Sequence, residues 1–403
     1  MGNVTAGQNG SGARLSTGER VVPISADSHI VEPDNCYRDH IEKKYRDTAP
    51  RIEREDRNGV PTDVFVIDGF LDRVPVMGVA SAGRDPKETF LSGTVADAPQ
   101  GGWDPKVRIE HQERDGIAAE ILYPSMGMMI CSHPDPDYKE ACLGAYNRWL
   151  EEYVSENPKR LLGIGQTSSR SVAGVVKDLE KIKAVGFKGI MLPGYPDTEF
   201  DYCDPSYDAL WEASIALDMP ICFHILTTAH KKKAGELFFT QPEKRGNSRM
   251  NAFHGIIRGV QDILGMFVFD GILERHPKLK VVCTEADAGW VPHFMARMDH
   301  AYHRFAGTLK GVELSKLPSE FFKENFYVTF QDDWVAFQMT HLMNPKRLMW
   351  ANDYPHGDST WPNSQPLLNA HTAHLGDDEK RWILRENVAE LYKLDTTGMK
   401  AVA

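Results

Sequence analysis

The residues with the most chemical reach in this chain are acids and imidazoles that close short apolar runs. Asp27-Ser28-His29 ends the run PISADSH, with Glu32 three residues on. His224 follows ICF, Glu285 follows VVCT with Asp287 two further, and Asp353 follows MWAN. All are nitrogen or oxygen donors of the kind a divalent cation takes. Residues two apart in an extended strand share a face, so Asp27 and His29 project together. A lone D-x-H recurs by chance in many chains; four runs ending alike carry more weight. Cys222 and Cys283 sit among apolar residues and read as core, so the donor set suits Zn, Mn or Fe rather than a soft metal. A cation held there would lower the pKa of a bound water and polarise a substrate carbonyl. Asp353 would then accept the water proton, and Glu285 would hand a proton to the leaving group.

Glu32 and Glu285 bring the set to four carboxylates and two imidazoles, more than one ion uses comfortably. Two adjacent ions bridged by carboxylate would absorb them. On the other reading, Glu32 caps the turn that follows it and Glu285 serves as general base. His254, in SRMNAFHGIIRGV, stands near the start of the helix after a long loop. It is a candidate ligand or acid/base group, with a plain helix-face histidine as the preferred reading. His356 and Trp361 follow Asp353 and read as residues that shape the pocket.

Positioning these donors requires strands that end together. Eight apolar runs, at 23–29, 118–125, 161–167, 187–193, 220–226, 280–287, 326–331 and 347–354, alternate with amphipathic stretches such as 137–156, 172–185, 205–217, 291–305 and 378–392. Asn157-Pro158, Gly186, Pro220, Pro277 and Pro345 punctuate helix ends and strand starts in register. This pattern predicts an α/β fold, a (β/α)8 TIM-type barrel. A doubly wound open sheet would carry a glycine-rich turn after an early strand, and no strand end reads G-x-G-x-x-G. In a barrel the C-terminal strand ends share one mouth, where active sites of this architecture sit.

Two stretches exceed simple connections. Residues 34–104 leave the end of the first strand and are expected to form a lid, a small subdomain or an oligomer contact. Residues 229–246, with Lys231-Lys232-Lys233, follow the fifth strand, and their lysines read as a solvated loop tip. The expected organisation is a disordered tail at 1–20, one barrel domain at 21–394 and a tail at 395–403.

Of 403 residues, 41% are hydrophobic and 26% charged, which places the chain among ordinary globular proteins. Its 46 Lys and Arg against 57 Asp and Glu give net charge −11, opposed to the footprint of a nucleic-acid binder. No apolar run approaches a membrane span, the N-terminus has no apolar leader, and Ala6 breaks the myristoylation pattern, so a cytoplasmic protein is expected. The six cysteines show no C-x-x-C and read as reduced core thiols. A small-molecule substrate and a homo-oligomer are the expected partners.

The blocks DSHIVEP, LYPS, ENPKRLLGIGQ, GFKGIMLPG, CFHI, HPKLKVVCTEADAGWVPHFMARMD and ANDYPHGDSTWP carry a further reading. Over residues 24–394 the chain resembles the amidohydrolase-related metal enzymes of the amidohydrolase superfamily. The similar branch includes the aminocarboxymuconate semialdehyde and resorcylate-type decarboxylases. The resemblance implies that Asp27, His29, His224 and Asp353 bind the metal, with Asp353 also placed to hold a water or substrate proton. Decarboxylase members carry a histidine at the end of the sixth strand, where this chain has Glu285. Other branches use a carboxylated lysine at the end of the fourth strand, whereas Lys188 lies at the start of that strand and reads as structural. The expected function is a metal-dependent hydrolase or nonoxidative decarboxylase, holding one or two divalent ions and acting on a small organic acid, amide, ester or lactone. The alternative is a nonheme diiron monooxygenase on the same barrel, which the carboxylate-rich donor set favours. A binding barrel without catalysis would leave the convergent donors unexplained.

Overall fold

The computed structural model describes residues 12–85, 92–227, 255–309, 311–397 and 399. Strands follow in chain order as β1 (Ile24–His29), β2 (Arg51–Arg57), β3 (Val60–Val66), β4 (Val74–Pro75), β5 (Ala119–Tyr123), β6 (Leu161–Gln166), β7 (Gly189–Met191), β8 (Ile221–His224), β9 (Val281–Thr284), β10 (Phe326–Phe330) and β11 (Leu348–Trp350). Eight of them form one parallel sheet in the order β1-β5-β6-β7-β8-β9-β10-β11. The sheet curls back on itself. Beyond β11, the Asp353 amide donates to Asp27 O at 3.1 Å, and the His29 amide donates to Tyr354 O at 2.6 Å. The result is the expected (β/α)8 barrel, with each strand inside its predicted run.

The strands read as continuous apolar runs because both faces are covered. Inside, Ile24, Ile121, Leu162, Met191, Cys222, Val282 and Met349 fill the barrel, with Val388, Leu391 and Tyr392 of the C-terminal segment packed against them. Outside, Trp211, Phe223 and Phe267 belong to the larger core between sheet and helices. Two helices next to the site begin with the same local device. Asp104 and Asp135 cap the helices Pro105–Asp115 and Pro136–Ser155, each accepting two backbone amides, and proline opens each helix. Gly116 closes the first at φ +69°, a conformation that suits glycine.

The stretch 34–104 carries its own antiparallel sheet, β2-β3-β4. Its later part packs on the barrel mouth, with the Ala82 amide donating to Pro355 O at 3.0 Å and the Val31 amide donating to Gly102 O at 3.0 Å. Parts of both expected tails are among the described residues. Residues 1–11 lie outside the described residues, but Ala13 is buried, the backbone of Arg14 pairs antiparallel with that of Arg20, and the Ser16 amide donates to Asp377 Oδ1 at 2.8 Å. At the other end Arg385 donates to the carbonyls of Thr396 and Met399. Hydrogen bonds to the barrel body and the packing of Ala13, Leu15, Leu394 and Met399 on the core together hold these segments. Five of the six cysteines are buried and none is bridged. Among the described residues, no helix is long and apolar enough to cross a membrane.

Candidate active site

Local backbone irregularity aims the site residues. In β1 the pairing with β5 slips between Ser25 and Ser28. This bulge lets Ala26 join the barrel interior while Asp27 and His29 also face inward. Ser25 and Ser28 turn away together, 2.9 Å apart, and bind Asn352 Oδ1 at 3.0 and 2.8 Å. On β9, alternation would send Glu285 outward with Val281 and Cys283. Its φ of +55° turns it into the mouth instead, and Asp353 has a φ of +54°. Left-handed backbone at non-glycine residues costs about 1–3 kcal/mol each and gathers at functional sites.

Six side chains converge. Asp27, His29, His224 and Glu285 present ligand atoms within 4.8 Å of one another, as do His29, Glu285, Asp353 and His356. Asp27, His29, His224 and Asp353 are fully buried, and the Glu285 side chain is 12% exposed. Hydrogen-bond logic places the imidazole protons. His29 Nδ1 lies 2.9 Å from Pro124 O, and His224 Nδ1 lies 3.0 Å from Ile225 O. Carbonyls only accept, so both Nδ1 atoms carry the proton and both Nε2 lone pairs face inward. Ser125 Oγ gives its hydrogen to Ile30 O at 2.7 Å, so at 3.0 Å His356 Nε2 must be the donor. The His356 Nδ1 lone pair then faces Asp353 Oδ1 at 3.2 Å.

Those lone pairs meet carboxylates. His29 Nε2 lies 3.0 Å from Glu285 Oε2, 3.4 Å from Asp353 Oδ1 and 3.5 Å from Asp27 Oδ1. His224 Nε2 lies 3.1 Å from Glu285 Oε2 and 3.7 Å from Asp27 Oδ1. Asp27 Oδ1, His224 Nε2 and both Asp353 oxygens make no hydrogen bond. Lone pairs and anions facing each other in a dry pocket need a cation between them. The donors present therefore fit a divalent metal.

Without that cation the protonation equilibria are displaced. Burial, reinforced by Glu285 and Asp27, holds the Asp353 carboxyl well above its usual range, and burial raises Asp27. Burial, then His356, pushes His29 down to about 3. Burial alone would lower His224, but Glu285 and Asp27 outweigh it and lift His224 to about 10. Burial opposes ionisation of Glu285, yet His224 and His29 keep its carboxyl well below the usual range.

Two sequence expectations change here. Glu32 is buried but stands outside the donor groups. Its oxygens accept the amides of Met126 and Gly127 at 3.0 Å each and the Tyr37 hydroxyl at 3.3 Å, so it caps the helix Met126–Ile130. The cap lies on the helix that begins at Met126 rather than on the turn after Glu32, and with two amides and a hydroxyl on its oxygens Glu32 stands apart from the donor cluster. His356, read from sequence as lining the pocket, supplies a donor atom. A histidine three residues after Asp353 was the available sign, but loop direction is not written in spacing. His254 and the lysine run lie outside the described residues. Asp287 is exposed at the rim, and Trp361 donates to His111 O rather than entering the cluster. Lys188 precedes β7, at the end of the barrel away from the mouth.

A residue with no strand-end signature supports the site from below. The buried Arg108 donates to Glu120 at 2.5 Å, to His29 O at 2.7 Å and to Tyr354 O at 3.3 Å. One guanidinium thereby ties the main chain of β1 to that following Asp353.

Residues 136–394 match the family model described as Amidohydrolase. The 2-amino-3-carboxymuconate-6-semialdehyde decarboxylase of Dictyostelium discoideum is 24% identical over 63% of this chain and 67% of its own length. The solved amidohydrolase of Mycobacterium avium subsp. paratuberculosis aligns with TM-score 0.70 at 18% identity, covering 93% of this chain and 100% of that one. A 5-carboxyvanillate decarboxylase of Novosphingobium aromaticivorans, solved with bound manganese, aligns with TM-score 0.65 at 15% identity, over 95% of this chain and 100% of that one.

Proposed function

The chain belongs to the amidohydrolase family, and from that premise we propose that it catalyses nonoxidative decarboxylation of a small unsaturated or aromatic organic acid, using manganese or a similar divalent ion. The observation that carries this reading is the set of imidazole lone pairs and bare carboxylate oxygens converging at the strand ends. The decarboxylase relative supports the choice among the chemistries such a site can perform.

In the net reaction the bond from carbon to carboxylate breaks, carbon dioxide leaves, and the carbon takes up a proton. Asp27, His29, His224 and Asp353 would hold the cation. When bound, it would neutralise the pocket and polarise the substrate's oxygen. With the cation in place, Asp27, Glu285 and Asp353 can all be anionic beside an organic acid without net repulsion of it. Asp353 has two oxygens without partners, one to face the cation and one to hold the proton destined for carbon. Burial of the cluster excludes bulk water, which strengthens these interactions.

The test is manganese-loaded protein assayed without oxygen against a panel of hydroxylated aromatic and unsaturated carboxylic acids. Release of carbon dioxide supports the proposal. Hydrolysis of amides, esters or lactones with no carbon dioxide from any acid would replace it with a hydrolase. The second reading, an iron-dependent monooxygenase, is favoured by the three carboxylates in the cluster, and oxygen uptake by iron-loaded protein would establish it in place of the decarboxylase.

A further inference from the structure

Resting on the metal-dependent reading above, we propose that Asn352 is a positioning residue for the metal donors. Its side-chain amide clasps the seam of the barrel and sets the placement of Asp353 against Asp27.

The seam is where the barrel has least regular support. Neighbouring strands pair all the way from β1 to β11, but among the described residues no ladder joins β11 back to β1. The donors straddle this gap, with Asp27 and His29 on β1 and Asp353 just past β11. Two main-chain hydrogen bonds cross it, from the Asp353 amide to Asp27 O and from the His29 amide to Tyr354 O. Side chains complete the closure, chief among them the buried Asn352.

Each end of that amide has assigned partners. Asn352 Oδ1 accepts the Ser28 hydroxyl at 2.8 Å, and the Ser25 hydroxyl and the Tyr354 amide lie 3.0 and 3.3 Å away. Nδ2 donates to Glu120 Oε1 at 3.3 Å and to Asp115 Oδ2 at 3.5 Å. The Asn352 main-chain amide donates to Ser25 Oγ at 2.9 Å. Only this orientation works: reversed, an amino group would meet the Tyr354 N–H and a carbonyl oxygen would meet two carboxylates. Glu120 is itself held by Arg108 at 2.5 Å and Gln112 at 2.7 Å. The serines that flank Asp27 are thereby tied through one amide to the buried ion pair beneath the site.

Asp353 depends on this clasp. It has a φ of +54°, and neither of its carboxylate oxygens makes a hydrogen bond. Left-handed backbone at a residue other than glycine persists only where the surroundings over-determine it. The residue before Asp353 is fixed by the Asn352 side chain, and by Ser359 Oγ and the Thr360 amide on the Asn352 carbonyl at 2.7 and 3.0 Å. The residue after is fixed by Arg108 on Tyr354 O. With no hydrogen bond of its own, the Asp353 carboxylate takes its direction from the main chain on either side.

The experiment measures metal affinity apart from turnover. Chelator-stripped full-length protein is titrated with Mn(II) by calorimetry, and the fold of each variant is checked by circular dichroism and urea denaturation. Asn352→Ala should stay folded and bind Mn(II) about 10–100-fold more weakly, the usual scale when a partner behind metal ligands is removed. A merely structural role would leave affinity unmoved, because a folded chain keeps its binding-competent fraction near one. Ser364→Ala supplies the comparison. It takes a hydrogen bond from Asp115 on the same buried network but in the helix Ser364–His371, and should lose stability with affinity retained. Unaltered affinity in folded Asn352→Ala overturns the proposal, as does equal weakening by Ser364→Ala. Should Asn352→Ala fail to fold, Ser28→Ala removes the shortest bond of the clasp and leaves Asn352 in place; weaker binding supports the proposal and unaltered affinity overturns it. If the unaltered protein binds Mn(II) and releases carbon dioxide while Asn352→Ala matches its affinity, the decarboxylase reading stands and only the positioning role falls. If the unaltered protein binds no Mn(II), both fall.

Discussion

At the scale of single residues, two buried glutamates show that a carboxylate's role depends on what already occupies its oxygens. Glu32 accepts from two helix amides and a tyrosine, whereas Glu285 faces imidazole nitrogens. Glu32→Gln should therefore leave metal content unchanged, while turning a donor toward an amide that had an acceptor. Equilibrium denaturation should show a loss of about 1–3 kcal/mol, the usual scale for an unsatisfied buried group. A fall in bound metal with stability intact would return Glu32 to the ligand set. His224→Ala should do the opposite, losing most of the bound metal with the circular dichroism spectrum preserved. Full metal retention in that variant would remove His224 from the site.

At the scale of elements, the site depends on how the helix Pro105–Asp115 is tied to the ends of β1 and β11. Asp115, at the end of that helix, accepts the Ser364 hydroxyl at 2.6 Å and the Ser364 amide at 3.0 Å. Burial is the main cause that raises its carboxyl from 3.8 to about 7, and Glu120 adds to it. Between those values the folded chain holds a proton that the unfolded chain has released. Asp115 thus contributes stability that is fully present below pH 3.8 and is lost as pH rises through about 7. Asp115→Asn should flatten this part of the dependence, seen as a smaller difference between urea midpoints at about pH 5 and pH 8. The same difference in both proteins would assign the dependence elsewhere. The stretch 34–104 also acts at this scale. It meets the loop after β11 through Ala82 and Pro355, and we propose that it serves as a lid. Limited proteolysis within it should slow when a substrate analogue binds. Equal cleavage with and without the analogue would make it a passive addition.

At the scale of the whole molecule, the cluster couples folding to metal. Strands β1, β8 and β9 and the loop after β11 bring the donors together only in the folded barrel, so an ion bound there favours the native state over the unfolded one. By mass action the gain is about 2.7 kcal/mol at a hundredfold excess over the dissociation constant. Added Mn(II) should raise the thermal midpoint of chelator-treated protein, and identical midpoints would mean that the cluster does not bind it.

Much of this was legible in the amino-acid order. The eight strands follow from apolar runs punctuated by proline and glycine, because burial on both faces writes itself into composition over a few residues. The donors Asp27, His29, His224, Glu285 and Asp353 were legible as well, since a barrel sends its C-terminal strand ends to one mouth. Direction beyond the strand ends was not. Glu32 and His356 both follow a strand-end donor by three residues, yet one caps a helix and the other enters the cluster. Residues distant in sequence decide between them: the amides of Met126 and Gly127 capture Glu32, while Ser125 and the His29 ring orient His356. The bulge in β1 and the left-handed backbone at Glu285 belong to the same class. Periodicity reports faces only where the backbone is regular, so the sequence by itself determined the barrel and most of its donors. Tertiary contacts decided which carboxylates remain unpaired, because a polar atom's availability depends on every neighbour that could satisfy it first.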